Sequence, residues 1–243
     1  MTQPKKLTIG ARFTRKIFKL SSVSGRIIDD LLESRDRGKI KAKLEHFRGS
    51  GTGDFVQLQD ESGRVTINVD SEAVTVALDV VKTGGHVDFD EVRFIFQETW
   101  RITQLQLNNP FPRRIGIAGE FWLDPIKNPS GILASHFLKD PPTGTLAKYV
   151  TQFERRFPDA GGPFDPTKSV FLNVIQGFYD AELDVVHAKS DAIVASLDVQ
   201  RYFDIEAKIN TSDELTKLNN NFNKEKELLD KTLTKLKQDG TPK

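Results

Sequence analysis

Eight residues between positions 39 and 68 have side chains suited to binding a flexible polyanion. The cations pair with phosphates, and the amide and hydroxyl groups hydrogen-bond to polar heteroaromatic rings. The one aromatic side chain can stack on a ring of the same kind. The eight are Lys39, Lys41, Lys43, Phe55, Gln57, Arg64, Thr66 and Asn68.

Their spacing predicts one shared surface. Polar and apolar residues alternate from Lys39 to Leu44 and again from Phe55 to Val69, the period of two that is typical of half-buried strands. The apolar set is expected in the core: Ile40, Ala42, Leu44, Val56, Leu58, Val65, Ile67 and Val69. Two alternatives stay open: a register shift of one residue would bury Phe55, and the lysines also suit an ordinary solvated strand face.

Other chemistry has weaker support in the sequence. There is no cysteine, and the four histidines are far apart, without the spacing of a metal site. The carboxylates of Asp60-Glu61 and of Asp88, Asp90 and Glu91 have types that bind Mg²⁺ or act as acids and bases, but turns commonly display such residues. We expect no catalytic residues, no metal and no cofactor, and therefore not an enzyme.

Composition narrows the class of protein. The 243 residues are 37% hydrophobic and 28% charged, which is ordinary for a globular chain. The net charge is +1, yet residues 1–48 hold thirteen Lys and Arg against five Asp and Glu, a charge of +8 that leaves −7 for the rest. No apolar run is long enough for a membrane span and no signal-peptide centre is present, so we expect a cytoplasmic protein, or a nuclear one in a eukaryote, without a membrane partner.

The elements that must position the eight residues follow from the same patterns. Residues 1–12 are expected to be unstructured, and Phe13–Arg37 to be largely helical, ending at Gly38. After the strands of residues 39–69, the predicted elements are a short helix with Val74, Leu78 and Val81 on one side, then strands at His86–Phe96 and Trp100–Leu107. The expected order is three strands, a helix and two strands.

That order, together with the Asp60-Glu61-Ser62-Gly63 turn between two alternating strands, resembles the OB-fold. The resemblance covers about residues 38–108, and this hairpin is similar to the one common in the OB domains of replication proteins and aminoacyl-tRNA synthetases. It implies a five-stranded barrel whose curved surface binds single-stranded nucleic acid, DNA more readily than RNA.

The remaining chain divides by composition. Residues 109–210 begin with proline-rich loops and one expected helix at Thr145–Phe157, followed by strand patterns in residues 169–209 that either extend the sheet or form a second small domain. Residues 211–243 open with the capping box Thr211-Ser212-Asp213-Glu214 and continue as a helix to Lys237. With residues 1–37 as a basic segment and helix, the expected fold is a mainly β, α+β protein.

Two functions fit these expectations. The first is binding of single-stranded DNA or RNA through the eight residues named above. The second is a structural or assembly role, as in a phage particle or secretion machine, with the barrel and the helix of residues 211–237 docking other proteins or a second copy of the chain. A fold alone does not choose between them.

Overall fold

Nine antiparallel strands form one open sheet in the computed structural model, which describes residues 2–49, 54–81, 83–123, 126–144, 146–158, 165–185, 188–205 and 207–239. The strands are β1 (Lys6–Phe13), β2 (Leu44–Gly49), β3 (Phe55–Asp60), β4 (Val65–Asp70), β5 (Ala73–Asp79), β6 (Pro112–Leu123), β7 (Val150–Pro158), β8 (Phe171–Val185) and β9 (Ala188–Tyr202). The helices are α1 (Leu20–Asp36), α2 (Phe89–Gln106), α3 (Pro129–Phe137) and α4 (Thr211–Asp239). The protein is therefore α+β, and because the sheet is not closed, the expected barrel is not confirmed.

The sheet contains two units of similar topology. Its order is β2-β3-β4-β5-β1-β6-β9-β8-β7. The first unit runs strand, helix, four strands, helix; the second runs strand, helix, three strands, helix within the described residues. The leading strands β1 and β6 pair antiparallel at the centre, with Ile9 opposite Ile117 and Gly10 opposite Gly116. Strands from residues 1–37, 38–108 and 109–210 thus belong to a single sheet.

The four helices of the described residues all pack on one side of the sheet. Phe13 of β1 stacks on Trp100 of α2, Phe121 of β6 stacks on Phe222 of α4, and Phe178 of β8 packs against Phe137 of α3. Helix α1 lies against β3 and against α2. The core therefore occupies one layer between sheet and helices, and the other side of the sheet carries none of the described helices.

The first 49 residues differ from expectation in two places. Residues 6–13 form β1, the central strand, because Leu7, Ile9, Ala11 and Phe13 alternate into the core. Residues 39–43 are not a strand: β2 starts only at Leu44, although Ile40 and Ala42 are buried as predicted. The prediction of helix α1 is confirmed, with Val23, Ile27 and Leu31 buried and Gly38 at φ +72° just after its end.

Between residues 71 and 107, the structure has a strand where a helix is expected and one helix where two strands are expected. The segment expected to be a helix is β5, in which Val74, Val76 and Leu78 are buried at a period of two. The two expected strands are the single helix α2. Its buried residues recur at the three- and four-residue intervals of a helix face: Val92, Ile95, Phe96, Thr99, Trp100, Ile102 and Thr103. The Asp88 side chain caps α2 by accepting from the Asp90 amide.

The second half is more regular than its prolines suggested. The expected helix at Thr145–Phe157 is wrong, because residues 150–158 form the edge strand β7, and β6 and α3 occupy part of the expected loop region. The C-terminal helix α4 is confirmed, and its apolar side packs on β6 and β9. None of the described helices has the length and apolarity needed to cross a membrane. The glycine-rich connection at residues 50–53 lies outside the described residues.

Candidate binding face

The side of the sheet opposite the helices, here called the open face, carries mainly polar side chains. Strand alternation and the register of the pairs assign residues to it: Lys6, Thr8, Gly10 and Arg12 of β1 lie opposite Glu120, Ala118, Gly116 and Arg114 of β6. The same register brings Thr75, Gln200 and Asn173 into line with Gly10 and Gly116. Nine strands spaced about 4.8 Å apart make this face roughly 40 Å wide.

Four of the eight residues selected from the sequence share the open face. They are Phe55, Gln57, Thr66 and Asn68, all partly buried, while the apolar residues between them are fully buried as predicted. Gln57 Nε2 donates to Asn68 Oδ1 at 2.9 Å, and Asn68 Nδ2 lies 3.5 Å from Thr75 Oγ1. These bonds run across strands, so they fix the side chains in a row that points across the sheet.

The other four lie elsewhere, and for the three lysines the reason is that residues 39–43 are not a strand. Lys39 lies 3.7 Å from Glu98 of α2, and Lys41 lines a groove beside that helix. Lys43 is exposed immediately before β2. The grouping of these lysines with Phe55 on one strand face is therefore wrong.

Arg64 is engaged by the helix layer as well. Its guanidinium donates to both carboxylate oxygens of Glu91 in α2, at 2.8 and 2.6 Å. This hydrogen bonding raises the pKa of Arg64 above its ordinary value, outweighing the opposing effect of burial. The guanidinium thus joins the turn just before β4 to α2, and it is not part of the row formed by Gln57 and Asn68.

A shallow depression of about 160 Å³ lies at the centre of the open face, where β1 meets β6. Its floor is formed by Gly10, Gly116 and Ala118, so backbone rather than side chain is exposed there. A Cβ atom at Gly116 would lie 3.2 Å from Gln200 Cγ, and one at Gly10 would lie 3.0 Å from Thr75 Cγ2. The glycines therefore make room for neighbouring side chains that lean over them. We call this site the central depression.

The polar side chains of the central depression form a connected chain. Arg114 Nη1 donates to Gln200 Oε1 at 3.2 Å, and Gln200 Nε2 donates to Asp198 Oδ2. Tyr202 contributes its hydroxyl, which lies 3.2 Å from both Arg114 Nη1 and Gln200 Oε1. A cation and a carboxylate are thus linked through one amide group.

Burial changes the acid strength of Asp198. Removal from water raises the pKa of this carboxyl above its ordinary value, while the hydrogen bond from Gln200 and the charge of Arg114 act in the opposite direction and only partly offset the effect. A carboxyl whose pKa is shifted by burial in a concave site is a recognised indicator of function. Its Oδ2 atom accepts the hydrogen bond from Gln200.

A stack of rings and guanidinium groups borders the depression. The Tyr202 and Phe171 rings are parallel within 11°, with centroids 4.4 Å apart. Arg114 lies over the Tyr202 ring at 5.7 Å and Arg156 over the Phe171 ring at 5.6 Å. Cation–π contacts of this kind hold a guanidinium in a fixed orientation. Arg114 is therefore preorganised, since the ring, a hydroxyl and an amide all position it.

None of the eight residues selected from the sequence lies in the central depression. Arg114 fell in a segment interpreted as proline-rich loop, and Thr8, Gly10 and Arg12 in one interpreted as unstructured. A usable signal was present: from Arg114 to Phe121, apolar residues alternate with arginine, glycine, alanine and glutamate. The pairing of β1 with β6 is what brings these residues together, and this pairing joins residues more than 100 positions apart.

Within the described residues, no group of three or more histidine, aspartate or glutamate side chains is arranged to hold a metal ion. The arrangement of the open face can hydrogen-bond planar polar groups and neutralise an anion at its arginine end. Comparison of the sequence with models of known protein families and with curated protein sequences yields no match.

Proposed function

We propose that this protein binds single-stranded nucleic acid, DNA more readily than RNA, on the open face of its sheet, and that it does so without catalysing a reaction. One observation carries the proposal. Phe55, Gln57, Thr66 and Asn68, selected from the sequence for this chemistry, share with Arg12 and Arg114 a surface on which none of the described helices lies.

A single strand fits this surface better than a duplex because its bases are accessible. Unpaired bases present their hydrogen-bonding edges to side chains and their flat faces to aromatic rings or guanidinium planes. Gln57 and Asn68 offer amide donors and acceptors, and Phe55 offers a ring at the end of the same strand pair. Each stacked base is worth about 1 to 3 kcal/mol.

The charges of the open face favour binding that depends on base contacts more than on charge alone. Three of its cations lie near carboxylates: Lys6 and Glu120 are 3.7 Å apart, Arg12 and Glu72 2.5 Å, and Arg156 and Glu154 2.8 Å. A phosphate must compete with these exposed, weak ion pairs. This balance also agrees with the net charge of +1.

Fluorescence anisotropy with labelled single-stranded DNA, single-stranded RNA and duplex DNA tests the proposal. We expect single-stranded DNA to bind most tightly and Phe55→Ala to weaken it about 5- to 150-fold, the equivalent of one lost stacking contact. Phe94→Ala is the matched control, because Phe94 is a 57% exposed phenylalanine on α2, in the opposite layer. Lys41→Glu, beside the same helix, is a second control.

Failure of all three nucleic acids to bind at about 50 mM salt would overturn the proposal. Equal losses from Phe55→Ala and Phe94→Ala would also contradict it, since they would move binding away from the open face. The Lys41→Glu variant gives a further distinction. A large loss of affinity in this variant would place the binding surface at the groove beside α2.

A role in protein assembly is the second candidate function, but the residues that support it are not those of the helix at 211–237. The apolar side of α4 is buried against β6 and β9, so it is not free to dock a partner. Elsewhere, Phe18 is 78% exposed and Ile205 69% exposed, and both line one groove. Neighbouring exposed apolar groups of this kind favour protein contacts. Self-association in gel filtration that is lost in Phe18→Ser, without nucleic-acid binding, would support this candidate.

A further inference from the structure

The chain of contacts in the central depression has the hydrogen-bonding pattern of a bound nucleobase. Gln200 presents a carbonyl oxygen to Arg114 and an amide N–H to Asp198. Guanine and thymine each contain a carbonyl beside a ring N–H, the same acceptor and donor in the same order. The side chain of Gln200 therefore occupies the place that such a base edge would fill.

The second oxygen of Asp198 distinguishes between these two bases. Asp198 Oδ2 accepts from Gln200, and Oδ1 lies toward Gly116, 3.4 Å from where a Cβ atom would be. Next to its ring N–H, guanine carries an amino group, which donates, whereas thymine carries a carbonyl, which accepts. An ionised carboxylate only accepts, so it pairs with guanine at both oxygens and repels the thymine carbonyl.

A further polar atom nearby has no partner. Asn173 Oδ1 is buried without a hydrogen bond among the described residues, and Asn173, only 3% exposed, lies directly opposite Gln200 in the β8–β9 register. A buried acceptor left without a donor is uncommon and calls for an explanation. Because the register pairs Gln200 with Asn173, the Gln200 N–H₂ group is a candidate donor for this acceptor once it leaves the depression.

We propose that the central depression binds one unpaired guanine, with Asp198 accepting from its ring N–H and amino group and Arg114 donating to its carbonyl oxygen, while the Gln200 side chain is displaced. This inference rests on the proposed function, since it names the base that the open face selects. The glycine floor lets the flat ring approach the backbone, and Tyr202 holds the Arg114 guanidinium in place.

Affinities for thymine tracts with one central substituted base test the inference. A single guanine is expected to bind about 5- to 150-fold tighter than thymine, the range for one bidentate contact. Hypoxanthine, which lacks the amino group, is expected to fall between them. Adenine and cytosine, which lack the adjoining carbonyl and N–H, are expected to bind no better than thymine.

Substitutions distinguish Asp198, which contacts the guanine, from Gln200, which the guanine displaces. Asp198→Asn is expected to abolish the preference for guanine, whereas Gln200→Ala is expected to keep or strengthen it. Asp29→Asn, at an exposed carboxylate on α1, is the charge-matched control and should change neither. Ala118→Leu fills the depression and should remove the preference, while Ala77→Leu, on the same face outside the depression, should retain it.

The outcomes distinguish the inference from the function on which it rests. Binding of single strands with equal affinity for all five bases would overturn the guanine site and leave the proposed function standing. Absence of binding to every oligonucleotide would overturn both. Thermal melting of each variant confirms folding, and the Ala118→Leu and Ala77→Leu pair keeps the test decisive even if Asp198→Asn does not fold.

Discussion

Glu98 lies where α1, α2 and the segment before β2 meet, and its surroundings are strongly cationic. The hydrogen bonds from Arg101, at 2.8 Å to both carboxylate oxygens, are the largest cause of its lowered pKa, followed by the bond from Ser34 at 2.6 Å. Together with the charge of Lys39, these partners lower the pKa of Glu98 from 4.5 to about 2, against the effect of burial. Lys39, selected from the sequence for phosphate binding, thus lies beside a carboxylate of α2.

Glu98→Gln is expected to reduce the free energy of unfolding at pH 7 by on the order of 1 to 3 kcal/mol, because a charged hydrogen-bonded group is lost. The lowered pKa fixes the sign of the pH dependence. The contribution of Glu98 is complete above pH 4.5 and disappears as the pH falls toward 2, so the difference between the two proteins narrows on acidification. Urea unfolding at pH 7, 4 and 3 measures it.

Glu33→Gln provides the comparison. Glu33 pairs with Arg37 on the exposed surface of α1, where such pairs contribute little. A loss of stability below about 0.5 kcal/mol is expected there at pH 7. Equal effects of the two variants would mean that the partners of Glu98 are no more important than a surface ion pair.

At the scale of elements, the packing of α4 on β6 depends on a glycine. A Cβ atom at Gly119 would lie only 2.8 Å from Phe222 Cζ and 3.2 Å from Phe121 Cε2, two rings that stack between helix and strand. Gly119→Ala is therefore expected to destabilise the protein by about 1 to 3 kcal/mol through overpacking. Thermal or urea unfolding measures the change.

The same substitution has the opposite expected sign in α1. Gly25 is an exposed helical position, and a Cβ atom added there would meet no neighbouring atom within 4 Å, so a methyl group fits without displacing anything. Gly25→Ala should stabilise by about 0.4 to 1 kcal/mol, because alanine restricts the unfolded chain and favours the helix. Destabilisation by both variants would contradict the proposed difference in packing.

At the scale of the whole molecule, the division into a helix-covered side and an open side determines the expected salt dependence. The described cations of the open face include Lys6, Arg12, Arg114 and Arg156, and most of these lie beside carboxylates. Two to four phosphate contacts on a single strand predict a slope of about −1.4 to −2.8 in a plot of log affinity against log salt. Binding should then weaken roughly 7- to 50-fold between 50 and 200 mM salt.

Anisotropy titrations at four or more salt concentrations give this slope. A slope steeper than about −4 would require six or more phosphate contacts, which is more than these four cations provide. Binding would then have to use the basic residues outside the open face, such as Lys39, Lys41 and Lys43, and the assignment of the binding surface would be wrong.

The sequence by itself determined which residues of β3 and β4 are buried and which lie on the opposite side. Val56, Leu58, Val65, Ile67 and Val69 are buried as predicted, and Phe55, Gln57, Thr66 and Asn68 lie on the opposite side of the same hairpin. Helices α1 and α4 were also predictable, since each combines a long apolar face with a local end signal. Such features depend on neighbours a few positions apart, and the intrinsic geometry of strand and helix is enough to fix them.

Only the tertiary structure decided which faces meet. The sequence of α2 fits two strands as well as one helix, because a short mixed segment matches either period, and packing against the sheet selects the helix. Likewise, nothing local joins Gly10 to Gly116, or Arg114 to Asp198 through Gln200. These groups are neighbours only because β1 pairs with β6. Burial of the whole sheet against its helices determines such long-range pairing, and no short stretch of sequence does so.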